Sequence, residues 1–185
     1  MIFKRTLSEH ILLTTIAAVV LVGCKKPDPP RISIHLAAGQ NDGTQANINV
    51  IKQHLAAETD VNEKDISDGG KTPLMHAVFW GHKEIAKLLV SNGADIDLTD
   101  ADAGASSLHY SVLGHYWEPT EDRYSIVKFL LESGAAVNII SRSSLVTRSG
   151  GTTLDMANES KQIEIADLLR KHGGKTSEEL KAEGK

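Results

Sequence analysis

The sequence is poor in cysteine, in aromatic side chains and in excess positive charge. One cysteine, Cys24, among 185 residues cannot form an internal disulfide or a cysteine-based zinc cluster, so the fold must depend on burial. Aromatic residues make up only 4%, which leaves Ala, Leu, Ile and Val to build the core and favours packed helices. A formal net charge of −4 provides none of the basic surface that nucleic-acid binding requires. A nucleic-acid partner is therefore not expected.

The N-terminus has the layout of a secretory signal peptide. Lys4 and Arg5 precede an uncharged stretch from Ile11 to Val22. This stretch is shorter than the ~20 apolar residues that cross a bilayer, so a permanent transmembrane helix is the poorer interpretation. It ends in Leu21-Val22-Gly23-Cys24, which resembles the bacterial lipobox. That resemblance implies that Cys24 is acylated, for example with palmitate, and becomes the mature N-terminus; a signal anchor with an incidental cysteine is the alternative.

The lipobox resemblance also implies a location. We expect a protein that is lipid-anchored to the cell membrane, because two or three acyl chains give stable anchoring where one does not. In a cell with two membranes, Lys25 in place of Asp after the cysteine implies the outer membrane, facing the periplasm. Residues 1–23 are then the signal peptide, and residues 24–32 are a lipidated N-terminus with a stiff tether rich in proline and lysine.

A short pattern recurs four times in the rest of the chain. The clearest copy runs from Gly70 to Asp97 and contains Thr72-Pro73-Leu74, a Gly81-His82 step and Gly93-Ala94-Asp95. The three weaker copies have these starts and ends: Ser33-Ile34-His35-Leu36 with Glu58, Ser106-Ser107-Leu108-His109 with Gly134, and Thr152-Thr153-Leu154 with Gly173. Apolar residues at helical spacing precede each end, and neighbouring units must stack to bury them.

These motifs resemble the ankyrin repeat, a unit of about 33 residues with a turn and two antiparallel helices. The resemblance implies an all-α fold, a solenoid of about four helix-turn-helix repeats with short β-hairpin-like fingers. The expected domain covers residues 33–176. Its repeats are placed at about 33–65, 66–99, 100–141 and 142–176, and they are followed by a charged tail, 177–185, that has no apolar face. A different kind of helical hairpin array is the alternative.

Residues at the helix ends indicate the same architecture. Thr72 is a capping residue ahead of Pro73, whose missing N–H costs nothing at the first position of a helix. Three glycines follow Leu-rich runs and can take the left-handed conformation that ends a helix: Gly93, Gly134 and Gly173. Glu58 stands where a fourth glycine is expected, so the sequence does not define how that helix ends.

Eight histidines prompt a search for catalytic or metal sites. The ankyrin resemblance assigns most of them to packing and to hydrogen bonds with neighbouring turns: His35, His76, His82, His109 and His115. The sequence has no His-x-x-x-His or Cys-x-x-Cys pair, no nucleophile elbow and no phosphate loop. Calcium in the acidic run 95–102 and a divalent metal near His115 are the alternatives. We therefore predict no enzyme, no cofactor, no metal site and no small-molecule substrate.

The expected function lies on the surface. In ankyrin repeats the fingers and first helices form a concave face, and Phe79 and Trp80 occupy two of its variable positions. In a chain with few aromatics they look like an anchor pair for a protein partner, although either ring could instead pack on the next repeat. The inserted loop 116–124 and the long finger 141–151 add the remaining predicted partner-binding residues: Tyr116, Trp117, Arg142, Leu145, Val146 and Arg148.

The two inserted segments each have a second interpretation. We expect residues 116–124 to form a loop rather than a helix, with rings that either close over a partner or pack on the convex helices. The finger 141–151 suits a partner with an apolar pocket and an acidic rim, or it is disordered.

Taken together, these features predict a membrane-anchored ankyrin-repeat protein that mediates protein–protein interaction in the bacterial cell envelope. Its partner is a protein whose identity the sequence does not name. The alternatives are an envelope inhibitor or immunity protein against a toxic enzyme, and a stress-protection factor, which bacterial ankyrin proteins are known to include. A metal-assisted enzyme that uses the His115 loop comes last.

Overall fold

The computed structural model describes residues 27–39, 45–114, 120–142 and 150–184. These stretches contain nine α-helices and one 3₁₀ turn, Ile66–Asp68. The helices are α1 (Ile34–Gly39), α2 (Gln45–Ala56), α3 (Pro73–Phe79), α4 (Lys83–Ser91), α5 (Ser107–Leu113), α6 (Thr120–Glu132), α7 (Thr153–Glu159), α8 (Ile163–Lys171) and α9 (Ser177–Ala182).

The helices alternate between two layers. The first helices of the repeats, α1, α3, α5 and α7, pack side by side, and the second helices, α2, α4, α6 and α8, pack in a parallel row behind them. Each first helix also packs on the second helix of its own repeat. The predicted all-α repeat solenoid is confirmed.

A hairpin-like turn, here called a finger, precedes α3, α5 and α7. Single antiparallel bridges close the fingers between Asp65 and Lys71, between Thr99 and Ser106, and between Ser141 and Gly151. We call them fingers 1, 2 and 3. Each finger therefore has the predicted hairpin character, and within the described residues each is closed by one bridge instead of a pair of strands.

The core is aliphatic, as the scarcity of aromatics predicts. Its largest fully buried side chains come from both layers of the solenoid: Ile34, Ile51, Leu74, Met75, Ile85, Leu89, Leu108, Ile126, Leu130, Leu154, Met156 and Leu169. Because every helix is short, its apolar face is covered only when neighbouring repeats are present.

Polar caps fix the starts of the first helices. The Thr72 hydroxyl accepts a hydrogen bond from the Met75 N–H at 3.3 Å, and Pro73 follows at the first helical position, as predicted. Reciprocal side-chain and backbone hydrogen bonds also close the starts of α5, α7 and α9. These bonds satisfy N–H groups that a helix start leaves without an intrahelical partner.

The second helices end in a shared geometry. Gly93 has φ 90°, Gly134 has φ 94° and Gly173 has φ 84°, so all three are left-handed, as predicted. Glu58 has φ 52° and makes the same pair of bonds as Gly93: its N–H donates to Leu55 O, and the next N–H donates five residues back. The first repeat is therefore closed like the others, at the cost of a side chain in a conformation that glycine prefers.

The connections between paired helices differ in length. Residues 80–82 and 160–162 join the helices of the second and fourth repeats, whereas residues 40–44 and 114–119 do so in the first and third. The longer connections therefore lie in the first and third repeats. However, α6 begins at Thr120, so the prediction of a loop is wrong for Thr120–Tyr124. Tyr124, in the second turn of this helix, packs against the core.

The C-terminal tail contains a helix with one buried apolar residue, which the sequence did not predict. Residues after 176 were expected to lack an apolar face, yet α9 buries Leu180 to 5% exposure. Arg170 on α8 pairs with Glu179 at 2.6 Å, and this ion pair holds the pKa of Glu179 at about 2. The Ser177 N–H donates to Asp155 Oδ2 at 2.9 Å. This short helix therefore covers the end of the core.

A histidine secures the other end of the array. His54, on α2, donates from Nε2 to the carbonyl of Ile32 at 2.7 Å and accepts a bond from the Thr59 hydroxyl at Nδ1, 3.1 Å away. It is 4% exposed. The segment that leads into α1 is thereby fastened to the second helical layer. Among the described residues, no helix is long and apolar enough to cross a membrane.

Candidate protein-interaction face

Three aromatic rings form a row across the first helices. Phe79 ends α3, and its ring meets Trp80 edge-on, with centroids 5.5 Å apart and an interplanar angle of 87°. Tyr110 on α5 meets the other side of Phe79 at 6.3 Å and 84°. All three are half-buried. We call Phe79, Trp80 and Tyr110 the aromatic row, and the side formed by the first helices and fingers the inner face.

The row joins the second and third repeats and borders the first. Gly39, the last residue of α1, lies against Trp80: a Cβ on this glycine would come within 3.4 Å of Trp80 Cδ1. Tyr110 carries the row onto α5. The sequence-based prediction named Phe79 and Trp80 but missed Tyr110. A signal for it was present, because Tyr110 follows the motif histidine His109 at a position that varies between repeats.

Tyr110 joins the inner face to finger 2. Its hydroxyl donates to Asp100 Oδ2 at 3.0 Å, and Asp100 also accepts hydrogen bonds from the backbone N–H groups of residues 103, 104 and 105. Burial and the Asp100 carboxylate raise the pKa of the Tyr110 phenol well above its usual range. Asp100, part of the acidic run considered for calcium, thus closes the finger with its carboxylate.

Finger 1 brings opposite charges over the same ring. The Lys71 ammonium lies 5.7 Å from the centre of the Tyr110 ring and pairs with the Asp68 carboxylate. Asp68 Oδ2 is also 3.7 Å from His76 Nε2. His76 Nε2 is buried without a hydrogen-bond partner among the described residues. Its desolvation lowers the pKa of His76, although the Asp68 carboxylate opposes this effect.

Two histidines bond neighbouring turns, as the family resemblance implied. His35 donates to the Glu63 carbonyl at 2.7 Å, and His109 donates from Nε2 to the Gly151 carbonyl at 3.4 Å. The Ser106 N–H donates to His109 Nδ1, which assigns the proton of the neutral ring to Nε2. Burial lowers the pKa of His109. His76 differs, because its ring faces His35 edge-on at 5.9 Å and makes no such bond from Nε2.

Arg142 links fingers 2 and 3. Its backbone N–H donates to the Ala103 carbonyl at 2.7 Å, and its guanidinium donates to the Ala101 carbonyl at 3.0 Å. The Ala101 N–H in turn donates to the Gly69 carbonyl of finger 1 at 2.9 Å. Arg142 is exposed, so a partner can still reach it, and its predicted role in binding stays a prediction.

Several predicted site residues lie outside the part of the chain that the structure describes. They are the lipidation residue Cys24 and the predicted partner contacts Tyr116, Trp117, Leu145, Val146 and Arg148. Of the predicted contacts, the structure thus brings together Phe79 and Trp80, and places Arg142 on the fingers of the same face.

A separate concave surface lies away from the aromatic row, between α6 and the start of α8. It is an open depression of about 490 Å³ beside Arg123, Tyr124, Lys161 and Ile163. Ile163 is 73% exposed. Within the described stretches, no group of three or more His, Cys, Asp or Glu side chains is arranged to hold a metal ion.

The comparison with protein families agrees with this architecture. A family model described as ankyrin repeats (three copies) matches residues 34–141, more than half of the chain. The chain therefore belongs to the ankyrin-repeat family. Its fourth repeat and α9 lie beyond the matched residues and are defined by the structure.

Similar proteins carry the same repeats within longer chains. The sequence is 32% identical over 111 residues to mouse "Ankyrin repeat and SAM domain-containing protein 6", a match that covers 60% of this chain and 11% of the relative. It is 34% identical over 73 residues to "Ankyrin repeat-containing protein P1E11.10" of Schizosaccharomyces pombe, covering 40% and 31%. The chain thus spans under a third of either relative. Ankyrin repeats are typically non-enzymatic, and membership implies a role in protein–protein interaction.

Proposed function

We propose that this protein is a lipid-anchored ankyrin-repeat protein of the bacterial cell envelope that holds a protein partner on its inner face. The aromatic row is the observation that carries the proposal. Its mechanism is recognition without turnover, and the stacked repeats serve to hold the row in a fixed arrangement.

The composition of the row supports a binding role. The chain has three Phe, two Trp and three Tyr, and three of these eight rings meet on the inner face. These three rings are half-buried, so part of each side chain stays accessible, whereas the largest aliphatic side chains are fully buried. Half-exposed aromatic residues held in fixed positions are typical anchors at protein interfaces, where truncating one costs ~2 kcal/mol or more.

The N-terminal sequence supports the anchor. A basic start, an uncharged stretch and Leu21-Val22-Gly23-Cys24 occur in the order that lipoprotein export requires. The polar tether then leads to Ile32, which His54 fastens to α2. With the chain held at this point, an anchored protein would carry its solenoid close to the membrane.

The binding proposal is tested by affinity capture from solubilised envelope. Intact protein and a Phe79→Ala/Trp80→Ala variant are compared, with Ile163→Ala as the matched control because Ile163 is exposed and belongs to α8. We expect a protein that the intact chain and the control retain and the double variant loses. Circular dichroism must show that all three are folded. Equal retention by the double variant would refute the role of these rings.

The anchor is tested separately with Cys24→Ser. Cells are labelled with radioactive palmitate, and the protein is partitioned between detergent and water. We expect intact protein to carry label and enter the detergent phase, and the variant to do neither. A labelled variant, or an unlabelled intact protein, would contradict lipidation at Cys24.

A further inference from the structure

We infer that the inner face accepts a positively charged segment of the partner protein, with an arginine side chain stacked on the aromatic row. This inference rests on the proposed function and specifies the chemistry of the partner. Three features carry it: the charge of the fingers, the cation already held over Tyr110, and the arrangement of the three rings.

Fingers 1 and 2 are strongly acidic. Within the bridges that close them, residues 65–71 and 99–106, the two fingers contain four carboxylates and one lysine. Lys71 pairs with Asp68, and two cations from outside the fingers bond finger 2: the Lys64 ammonium donates to the Thr99 carbonyl at 2.7 Å and the Arg142 guanidinium donates to the Ala101 carbonyl at 3.0 Å. Hydrogen bonds that the carboxylates accept leave their negative charge in place. The net charge beside the aromatic row is therefore negative.

The acidic groups of the two fingers lie close to each other and to the row. A Cβ on Gly69 of finger 1 would touch Asp102 Oδ2 of finger 2, and the Ala101 N–H donates to the Gly69 carbonyl. Asp68 and Asp102 are both exposed. Asp68 also reaches His76, one turn before Trp80 on α3. A cation that approaches the rings thus meets carboxylates from two repeats.

The aromatic row already holds one cation. The Lys71 ammonium sits 5.7 Å from the centre of the Tyr110 ring while it pairs with Asp68. The negative face of an aromatic ring attracts cations, and the Asp68 carboxylate attracts the same ammonium. Lys71 therefore shows, within the chain itself, the kind of group that this surface stabilises.

Arginine fits the rest of the row better than lysine. Its planar guanidinium can stack on an aromatic face and donate to a carboxylate with its edge at the same time. Phe79 and Trp80 continue the surface from Tyr110 toward α1, and Asp68 contacts His76 on the same helix as Phe79. A partner segment that runs along the row can therefore place a guanidinium between rings and carboxylates.

The test uses the intact protein in detergent and a defined probe. The probe is an acetylated, amidated five-residue peptide with two arginines separated by glycines, and the comparison peptides carry lysine or glutamine instead. The chain has two tryptophans, and the Trp80 signal is identified as the part of the fluorescence change that a Trp80→Phe variant loses. We expect the arginine peptide to change Trp80 fluorescence, to bind about tenfold more tightly than the glutamine peptide and a few-fold more tightly than the lysine peptide, and to weaken in ~0.5 M salt.

Charge variants make the result specific to the fingers. Asp68→Asn/Asp102→Asn should weaken binding of the arginine peptide about fivefold or more, whereas Asp167→Asn, which removes an exposed charge from α8, should not. The inference would be overturned if the arginine and glutamine peptides bound equally well, or if the arginine peptide did not bind. It would also be overturned if Asp68→Asn/Asp102→Asn and Asp167→Asn weakened binding by the same factor. If the Phe79→Ala/Trp80→Ala variant still loses its captured protein while the arginine peptide fails to bind, the proposed function stands and this inference falls.

Discussion

The Tyr110 hydroxyl donates a hydrogen bond to the buried Asp100 carboxylate across 3.0 Å, and this bond ties the inner-face helix α5 to finger 2. Asp100 is 3% exposed, and its carboxylate also receives three backbone N–H groups of the finger. One aspartate therefore sets both the shape of the finger and the position of the ring.

Removing only the hydroxyl should weaken the fold. In Tyr110→Phe the ring stays in the row, but a buried carboxylate loses one donor, which costs roughly 1–2 kcal/mol of unfolding free energy. Chemical denaturation measures this loss. Asp100→Ala, which removes the acceptor of all four bonds, should cost more. If Tyr110→Phe is as stable as the unaltered protein, the hydrogen bond contributes nothing to the free energy of unfolding.

The left-handed backbone conformation of Glu58 indicates that a substitution at this position should be stabilising. Glu58 has φ 52° at a position where the other three repeats have glycine, and a side chain there costs about 1 kcal/mol relative to glycine. Glu58→Gly should therefore raise the midpoint of thermal unfolding by several degrees. Glu58→Ala is the matched control, because it removes the carboxylate but keeps the Cβ. A larger gain from alanine than from glycine would mean that charge and not backbone strain is responsible.

Two substitutions at the starts of α5 and α7 should also raise the free energy of unfolding. Ser107 and Thr153 occupy the position that Pro73 has in α3, and both hydroxyls are buried without a hydrogen-bond partner among the described residues. The preceding residues, Ser106 with ψ 173° and Thr152 with ψ 167°, already have the extended backbone that proline requires.

Ser107→Pro and Thr153→Pro should each add about 1 kcal/mol to the free energy of unfolding. Proline restricts the unfolded chain, and the substitution removes a buried polar group that has no partner. Denaturant titration provides the measurement. Ser107→Ala, which removes only the hydroxyl, should give part of the gain. A loss of stability in both proline variants would show that these sites do not share the geometry of Pro73.

Two histidines should make the stability of the fold sensitive to mild acid. Burial lowers the pKa of both His76 and His109 below the ordinary value of 6.5. The unfolded chain therefore takes up protons first as the pH falls, so the stability is fully present above about pH 6.5 and declines below it. Thermal unfolding between pH 8 and 5 should show this decline, and His76→Gln/His109→Gln should reduce it. An unfolding temperature that does not change from pH 7.5 to 5 would contradict this account.

The sequence predicted those features that repeat. Thr72-Pro73 gave the start of α3, and Gly93, Gly134 and Gly173 gave the ends of the second helices, because capping and left-handed backbone are local properties of a few residues. Phe79 and Trp80 could also be placed, since their positions follow from the best-matched copy of the pattern.

Features that depend on distant contacts were missed. Tyr110 joins the row only because α5 packs beside α3, and His54 holds Ile32 across 22 positions of sequence. α9 is stabilised by the burial of Leu180 and by contacts with Arg170 and Asp155, which lie outside the tail. Tertiary packing decided each of these points, and local patterns carry no information about it.

The central claim is that the inner face holds a protein partner. Photo-crosslinking from a single position tests it most directly, with p-benzoylphenylalanine incorporated in place of Phe79 and, as control, in place of Ile163 in cells that express the intact protein. The account predicts a crosslink to one envelope protein from position 79 and none to that protein from position 163. Crosslinking of the same protein from position 163 alone would place the binding surface on the other side of the solenoid and contradict the claim.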